Sequence, residues 1–241
     1  MEVLGLIGIR SGSKGVKNKN IKPLYGKPLV GWVLDAAKNS KSITRLIVST
    51  DSEEYAEIVR ELGAEVPCLR PAEMATDDSP EIDYVINMLN WLKENEGYRP
   101  DIVIRLMATV PLQESSDIDA LVDIFNSDSD ASSAVVISES RQHPMKALKI
   151  IEDGIGSTKL VSYFTESGRE VTPIARQSYP KAYFRANIIA CRTETVYNTH
   201  SLTGDLVRYH IIPQERAIDI DNLVDFSIAE LLLKSKYEPQ P

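Results

Sequence analysis

No stretch of the 241-residue chain approaches the apolar length that a membrane span requires. Histidine is scarce at three residues and cysteine scarcer at two. Cys68 and Cys191 fall in no close-spaced metal or redox motif, so they read as buried thiols in a reducing compartment. The histidines show no ligand spacing, which leaves neither a histidine metal site nor a histidine base assigned; His143, before a proline, reads as a turn residue. Positive charge is also short. With 27 Lys and Arg against 35 Asp and Glu, the net charge of −8 argues against non-specific nucleic-acid binding. The opening MEVLGLIGIR carries an acid at position 2 and lacks the basic start and cleavage region of a secretory signal, so a cytoplasmic location is expected. Repeats, low-complexity tracts and obvious linkers are missing too. What remains is an ordinary globular composition, 43% hydrophobic and 26% charged, in a chain long enough to bury one large core. A single domain over 1–241 is expected.

The chain alternates. Val3–Ile9 reads as a buried strand, followed by a polar loop and a helix opened by Pro28 with apolar residues at helical spacing through Ala37. Arg45–Ser49 reads as a strand and Glu53–Leu62 as a helix ended by Gly63. A helix follows around Ile82–Leu89, a strand at Ile102–Leu106, a helix at Ile118–Phe125 and a strand at Ala134–Ile137. Residues 139–182 break the pattern and read as an excursion or arm. Phe184–Ala190 returns as a strand, and Asn222–Lys236 closes with a helix. Such alternation predicts an α/β fold with a largely parallel sheet covered on both faces. Ligands bind beyond the carboxyl ends of such strands, which directs attention to the loops after Ile9, Ser49 and Leu106.

The first of these loops, Arg10 to Asn20, holds four cations, two serines and two glycines on an otherwise acidic chain. Glycine lets a backbone approach a ligand and present its N–H groups, while Arg and Lys neutralise phosphate. The loop is a triphosphate-sized cradle. It matches neither G-x-G-x-x-G nor G-x-x-x-x-G-K-[ST].

Arg10, Ser13-Lys14-Gly15 and Lys19-Asn20 resemble the N-terminal signature of the CMP-sialic acid synthetases, the acylneuraminate cytidylyltransferases. The likeness continues in order through Pro23–Leu29, Val48–Ser52, Leu69–Glu73 with Ala75-Thr76-Asp77, His143-Pro144 with Lys146, Arg176-Gln177 with Pro180 and Tyr183, and Ile218–Asp221. The resemblance implies a Rossmann-like nucleotide-diphospho-sugar transferase fold with a mixed, mostly parallel sheet and a small dimerisation arm. It also implies a reaction in which CTP activates an acidic nine-carbon sugar, giving a CMP-sugar and pyrophosphate in a homodimer that needs no nucleic acid or membrane. By the same resemblance, Arg10, Ser13, Lys14, Gly15, Lys19 and Asn20 would meet the nucleotide, with Arg70 and Ser79 reaching it from another loop. Arg10 and Lys14 would also act in catalysis. Met107, Lys146, Gln177 and Tyr183 would face the sugar, Lys146 as a clamp for its carboxylate.

Two departures fall on the acceptor side. Where the family has Leu-Gln-Pro-Thr-Ser-Pro-Leu-Arg, this chain has Leu106–Gln113 with methionine at the glutamine position and Gln113 at the closing arginine. Where the family has Asn-Gly, this chain has Ala186-Asn187. A different acidic sugar, a different nucleotide, or a non-catalytic sugar-nucleotide binder therefore stay open as alternatives.

Asp219 and Asp221 alternate with Ile218 and Ile220, so in an extended segment both carboxylates face one way while the isoleucines pack inward. Adjacent like charges need a cation, and Mg²⁺ takes one or two carboxylates together with phosphate oxygens. The pair also resembles the family's metal site, which makes Asp219 and Asp221 the expected catalytic metal ligands. The plainer reading is that Asp221 caps the closing helix. Asp51 likewise reads as a cap for the helix that starts at Glu53.

Overall fold

A computed structural model describes residues 1–12, 15–152, 154, 156–164 and 178–238. In chain order the elements are β1 (Val3–Gly8), β2 (Pro23–Leu24), β3 (Lys27–Pro28), α1 (Leu29–Lys38), β4 (Arg45–Ser49), α2 (Glu53–Glu61), α3 (Glu81–Glu96), β5 (Ile102–Met107), α4 (Ser115–Ser127), β6 (Ser133–Glu139), β7 (Leu148–Glu152), β8 (Thr158–Ser162), β9 (Tyr183–Arg192), α5 (Thr193–Thr199), β10 (Val207–Ile212) and α6 (Leu223–Tyr237). Six strands form one sheet in the order β10-β6-β9-β5-β1-β4. β1 runs parallel to β4 and β5, and β10 parallel to β6. β9 runs antiparallel between β5 and β6, so the sheet is mostly parallel, as the alternation predicted, and mixed, as the resemblance implied.

Helical spacing of apolar residues covers both faces. On one face, Val30, Val33 and Leu34 of α1, Tyr55 and Val59 of α2, and Ile118, Leu121 and Phe125 of α4 bury against Ile7, Val48, Ile104 and Leu106. On the other, Tyr84, Met88, Leu89 and Leu92 of α3 cover Leu4, Leu6, Ile47 and Val103. α6 packs Phe226, Ala229 and Leu233 on Leu24, Leu29, Ile218 and Ile220, which pins the segment before it beside the loop after β1. Among the described residues β7 and β8 pair only with each other, as a hairpin outside the main sheet.

The caps differ in detail from the sequence reading. Ser52, not Asp51, caps α2, its Oγ accepting from the Tyr55 N–H at 3.3 Å. Asp51 instead accepts from the Ser11 N–H at 2.9 Å and the Ser11 hydroxyl at 2.7 Å, and so latches the loop after β1 to the end of β4. Asn222, not Asp221, caps α6 and forms a reciprocal box with Asp225. Asp221 is thereby left free of a capping role. His143 holds a turn as expected, its Nδ1 accepting from the Met145 N–H at 3.2 Å.

Candidate active site

The loops after β1, β4 and β5 converge on a cleft of about 350 Å³ at the carboxyl ends of these strands. Gly8 forms part of its floor, where an added Cβ would run into the Tyr84 ring. Tyr84 in turn carries the Arg70 guanidinium 4.2 Å above its ring. Arg70 is only 7% exposed and is fixed by donating to the Ser49 hydroxyl at 3.0 Å and the Ser49 carbonyl at 2.7 Å. Burial lowers its pKa below the usual arginine value, and burial pushes Tyr84 up to about 12. Arg70 thus brings a rigid, desolvated cation to the cleft rather than joining a surface ion pair.

Across the cleft, Arg10 donates to Asp77 at 2.5 Å and to the Ala75 carbonyl at 3.4 Å. Asn20 is buried and donates to the Arg10 carbonyl at 3.1 Å, which fixes the start of the loop. Lys19 donates to the Ile220 carbonyl at 2.6 Å and lies 3.4 Å from an Asp221 carboxylate oxygen. Gly15 packs directly on the Asp221 carbonyl oxygen, and a Cβ there would collide with it. These contacts bring the basic loop and the acidic segment together although some 200 residues separate Lys19 from Asp221 in sequence. Ser79 lines the cleft, but its hydroxyl is engaged in its own turn with Glu73 and Thr76. Met107 lines it from the end of β5.

Asp221 lines the cleft with its side chain 78% exposed. Asp219 lies mostly buried behind it, next to the cleft-lining Thr109. Its Oδ2 accepts from Asn187 at 2.5 Å, while its Oδ1 is buried with no hydrogen-bond partner among the described residues. Burial raises the Asp219 pKa, and the Asp221 charge adds to the rise; the nearby Thr109 hydroxyl, Lys19 and Asn187 oppose it. An orphaned buried carboxylate oxygen beside a second carboxylate fits a hard, oxygen-seeking dication. The described residues hold no larger cluster of His, Cys, Asp or Glu, so any metal there would complete its shell from water or substrate.

The remaining expected residues stand elsewhere. Ser13, Lys14 and Gln177 lie outside the described residues. Lys146 ends an exposed turn at the base of the β7–β8 hairpin. Tyr183 opens β9 beside Glu139, Lys181 and Ile211, in a second depression rather than the cleft. Gln113 is turned inward, donating to the Met107 carbonyl at 3.3 Å, so it braces the loop after β5.

A family model described as cytidylyltransferase matches residues 4–230. The chain belongs to the cytidylyltransferase family. This bears out the resemblance read from the loop after β1, and the molecule is a nucleotidyltransferase. The cytidylyltransferase is 34% identical over 238 residues to the post-translational flagellin modification protein B of Campylobacter coli, covering 98% of this chain and 96% of that one. It is 31% identical over 238 residues to the CMP-N,N'-diacetyllegionaminic acid synthase of Campylobacter jejuni, with 98% and 96% covered. It is 26% identical over 235 residues to the N-acylneuraminate cytidylyltransferase of Escherichia coli, of which it spans about half, 53%, with 98% of this chain covered. Among solved structures, CMP:2-keto-3-deoxy-manno-octonic acid synthetase complexed with CTP shares its fold at a TM-score of 0.72 and 14% identity, over 98% of this chain and 100% of that one. The 4-diphosphocytidyl-2C-methyl-D-erythritol synthase of Anaerococcus prevotii shares it at 0.61 and 12%, over 97% and 98%.

Several residues that shape the enzyme's cleft were given no role in the sequence reading. Tyr84 lies on the apolar stripe of α3 and reads there as core. Thr109 and Asp77 sit in loops whose course depends on the fold. Asn187 reads as a departure from the family's Asn-Gly on the acceptor side, yet it touches Asp219.

Proposed function

We propose that this enzyme joins CTP to an acidic sugar of the sialic or related nonulosonic acid class, releasing pyrophosphate and forming a CMP-sugar. The observation that carries this reading is the cleft itself, which Arg10, Lys19, the buried Arg70 and Asp221 line together with Gly8 and Tyr84. In the reaction the anomeric hydroxyl oxygen bonds to the α-phosphorus, the bond to the bridging oxygen toward the β-phosphorus breaks, and the hydroxyl proton is released. Such a transfer needs positioning and charge neutralisation more than covalent chemistry by the protein. Arg10 and Lys19 supply positive charge for the phosphates, and Asn20 holds the Arg10 backbone in place. Ser13, Lys14 and Gly15 continue the same loop. Gly15 keeps that loop hard against the Asp221 segment, so phosphates and carboxylates occupy one cleft. Arg70, rigid on Ser49 and Tyr84, and Ser79 bound the far side. Asp219 and Asp221 would hold a divalent ion, read as Mg²⁺, which supplies charge neutralisation on the triphosphate when bound.

Met107, Lys146, Gln177 and Tyr183 are assigned to the acceptor. Met107 favours an acceptor other than N-acetylneuraminate, because a thioether cannot donate the hydrogen bonds of an amide. The name of the Campylobacter jejuni relative, a CMP-N,N'-diacetyllegionaminic acid synthase, points the same way, toward a modified nonulosonic acid. Homodimerisation is supported by apolar residues left exposed on β9, β10 and the hairpin. Tyr209 of β10 is 61% exposed and Ile150 of the hairpin 70%, with Phe184, Leu160 and Ile211 also exposed. Light scattering that finds only monomer at micromolar concentration overturns this. No helix among the described residues is long and apolar enough to cross a membrane, and a supply of CTP fits work in the cytoplasm.

The deciding experiment is pyrophosphate release with CTP, Mg²⁺ and a panel of acidic sugars that includes N-acetylneuraminate and N,N'-diacetyllegionaminic acid. Turnover is expected with at least one sugar and with CTP in preference to UTP, ATP or GTP. Folded protein that turns over none of them overturns the reading.

A further inference from the structure

A buried arginine in the centre of the sheet has no place in the reaction as written. Arg105 lies on β5 and is 3% exposed. Its Nη1 donates to the Asn187 carbonyl at 3.1 Å and its Nη2 stands 3.4 Å from Glu81, while its Nε has no partner among the described residues. Burying such a cation is costly, so its partner deserves a physical account.

That partner sits at a break in the sheet. Pairing of β6 with β9 slips between Val135↔Ile189 and Ile137↔Arg185, so β9 carries extra residues around Asn187. The ladder between β5 and β9 ends at Leu106↔Ile188, which leaves the Asn187 carbonyl without a strand partner there. Arg105 supplies the missing donor. Asn187 itself is left-handed at φ 60, a conformation glycine adopts freely and other residues adopt at a cost. A side chain is nevertheless present, and it donates to Asp219 Oδ2 at 2.5 Å.

We propose that Arg105 and Asn187 are positioning residues that orient the Asp219 carboxylate. Arg105 fixes the bulge, the bulge aims the Asn187 amide, and the amide occupies one carboxylate oxygen so that Oδ1 alone stays available to a cation. This rests on the reading of Asp219 as a metal ligand in a cytidylyltransferase.

The test uses the full chain with CTP and no sugar, titrated with Mn²⁺ while free Mn²⁺ is read by electron paramagnetic resonance. Asn187→Gly keeps the left-handed backbone and deletes only the amide. It is expected to weaken Mn²⁺ binding about tenfold, with CTP affinity at saturating Mn²⁺ within twofold and the melting temperature close to wild type. Arg105→Met is expected to act in the same direction, and Asp219→Asn to remove the binding that both weaken. If Arg105→Met does not fold, Asn187→Gly decides alone. Wild-type Mn²⁺ binding in Asn187→Gly overturns the proposal, as does Mn²⁺ binding that is indifferent to Asp219→Asn. An intact Asp219-dependent isotherm in a protein that turns over no acidic sugar overturns the functional reading but not the relay.

Discussion

Helices cover both faces of the β4–β1–β5 half of the sheet, whereas the β9–β6–β10 half leaves Val207, Tyr209 and Ile211 open on one face. The first half is parallel and carries the cleft; the second includes the antiparallel strand, its bulge and the separate hairpin. In the proposed function the covered half would hold its cations, Arg10, Lys19 and Arg70, against the nucleotide, a task that is the same whatever the acceptor. The open half holds Tyr183, which the proposed function assigns to the sugar, and the exposed Tyr209 and Ile211, which it assigns to association between copies. Asp219 bridges them, since Asn187 of the open half holds a carboxylate placed beside the covered half's cleft.

The largest expected effect tests that bridge. Asp221→Asn and Asp219→Asn keep shape and remove charge. Each is expected to fold and to lose on the order of a hundredfold or more in turnover, as do other changes that remove charge stabilisation from a reacting centre. Chelation of divalent ions in the wild type should give a similar loss, restored by Mg²⁺. Near-normal rates at limiting Mg²⁺ in both variants would remove the metal from the bridge.

Gly15→Ala comes next. The new methyl meets the Asp221 carbonyl, a backbone atom that cannot swing away. Overpacking of this kind costs about 1–3 kcal/mol. Here the relief available is displacement of the loop from the acidic segment, so roughly a ten- to hundredfold loss in kcat/KM for CTP is expected. An unchanged melting temperature would locate the cost in the cleft rather than the core.

Much of the covered half was readable because its signals are local. Val3–Gly8 and Ile102–Met107 are apolar runs, and the spacing in α1, α2 and α4 matches helices. Placing loops at strand ends leads to Arg10, Gly15, Lys19 and Asn20, and the resemblance adds Arg70 and Asp221, which line the same cleft. The open half was harder. Val207–Ile211 of β10 alternates apolar with polar residues, a signal the sequence reading passed over, but its apolar side is the exposed one and among the described residues the strand pairs with β6 alone, so burial does not single it out. α5 has seven residues, too few for a periodic pattern. The Asn187 contact depends on a register slip that no residue spacing announces. Asp51 was misread as a cap because Ser52 competes for the same N–H groups, and only the fold brings Ser11 within reach of the carboxylate.

Arg70→Lys sharpens the covered half's claim to rigidity. Lysine keeps the charge but loses the planar fork that bonds Ser49 twice and lies over Tyr84. Losing one hydrogen bond and the stacking is worth about 1–2 kcal/mol. KM for CTP is expected to rise about tenfold with kcat changed less, and steady-state kinetics at saturating acceptor measures the split. An equal fall in kcat with KM unchanged would show that Arg70 acts only in the transition state.

The smallest effect concerns the boundary between the halves. Met107 ends β5, lines the cleft, and has its carbonyl held by Gln113. Gln113 is therefore occupied in bracing the loop, and its amide cannot replace the one that Met107 lacks. Met107→Gln restores a donor and an acceptor at nearly the same volume. One added hydrogen bond to an acceptor sugar is worth about 0.5–1.5 kcal/mol, or roughly three- to tenfold. The variant is expected to shift kcat/KM toward N-acetylneuraminate by that factor and to lose a similar factor on the sugar the wild type prefers. KM for CTP should stay put. Competition between two acceptors in one vessel, read by product ratio, measures the shift without depending on enzyme concentration. A rise in KM for CTP with no change in product ratio would place Met107 with the nucleotide, and the division between a constant covered half and a selective open half would then have to be drawn beyond the end of β5.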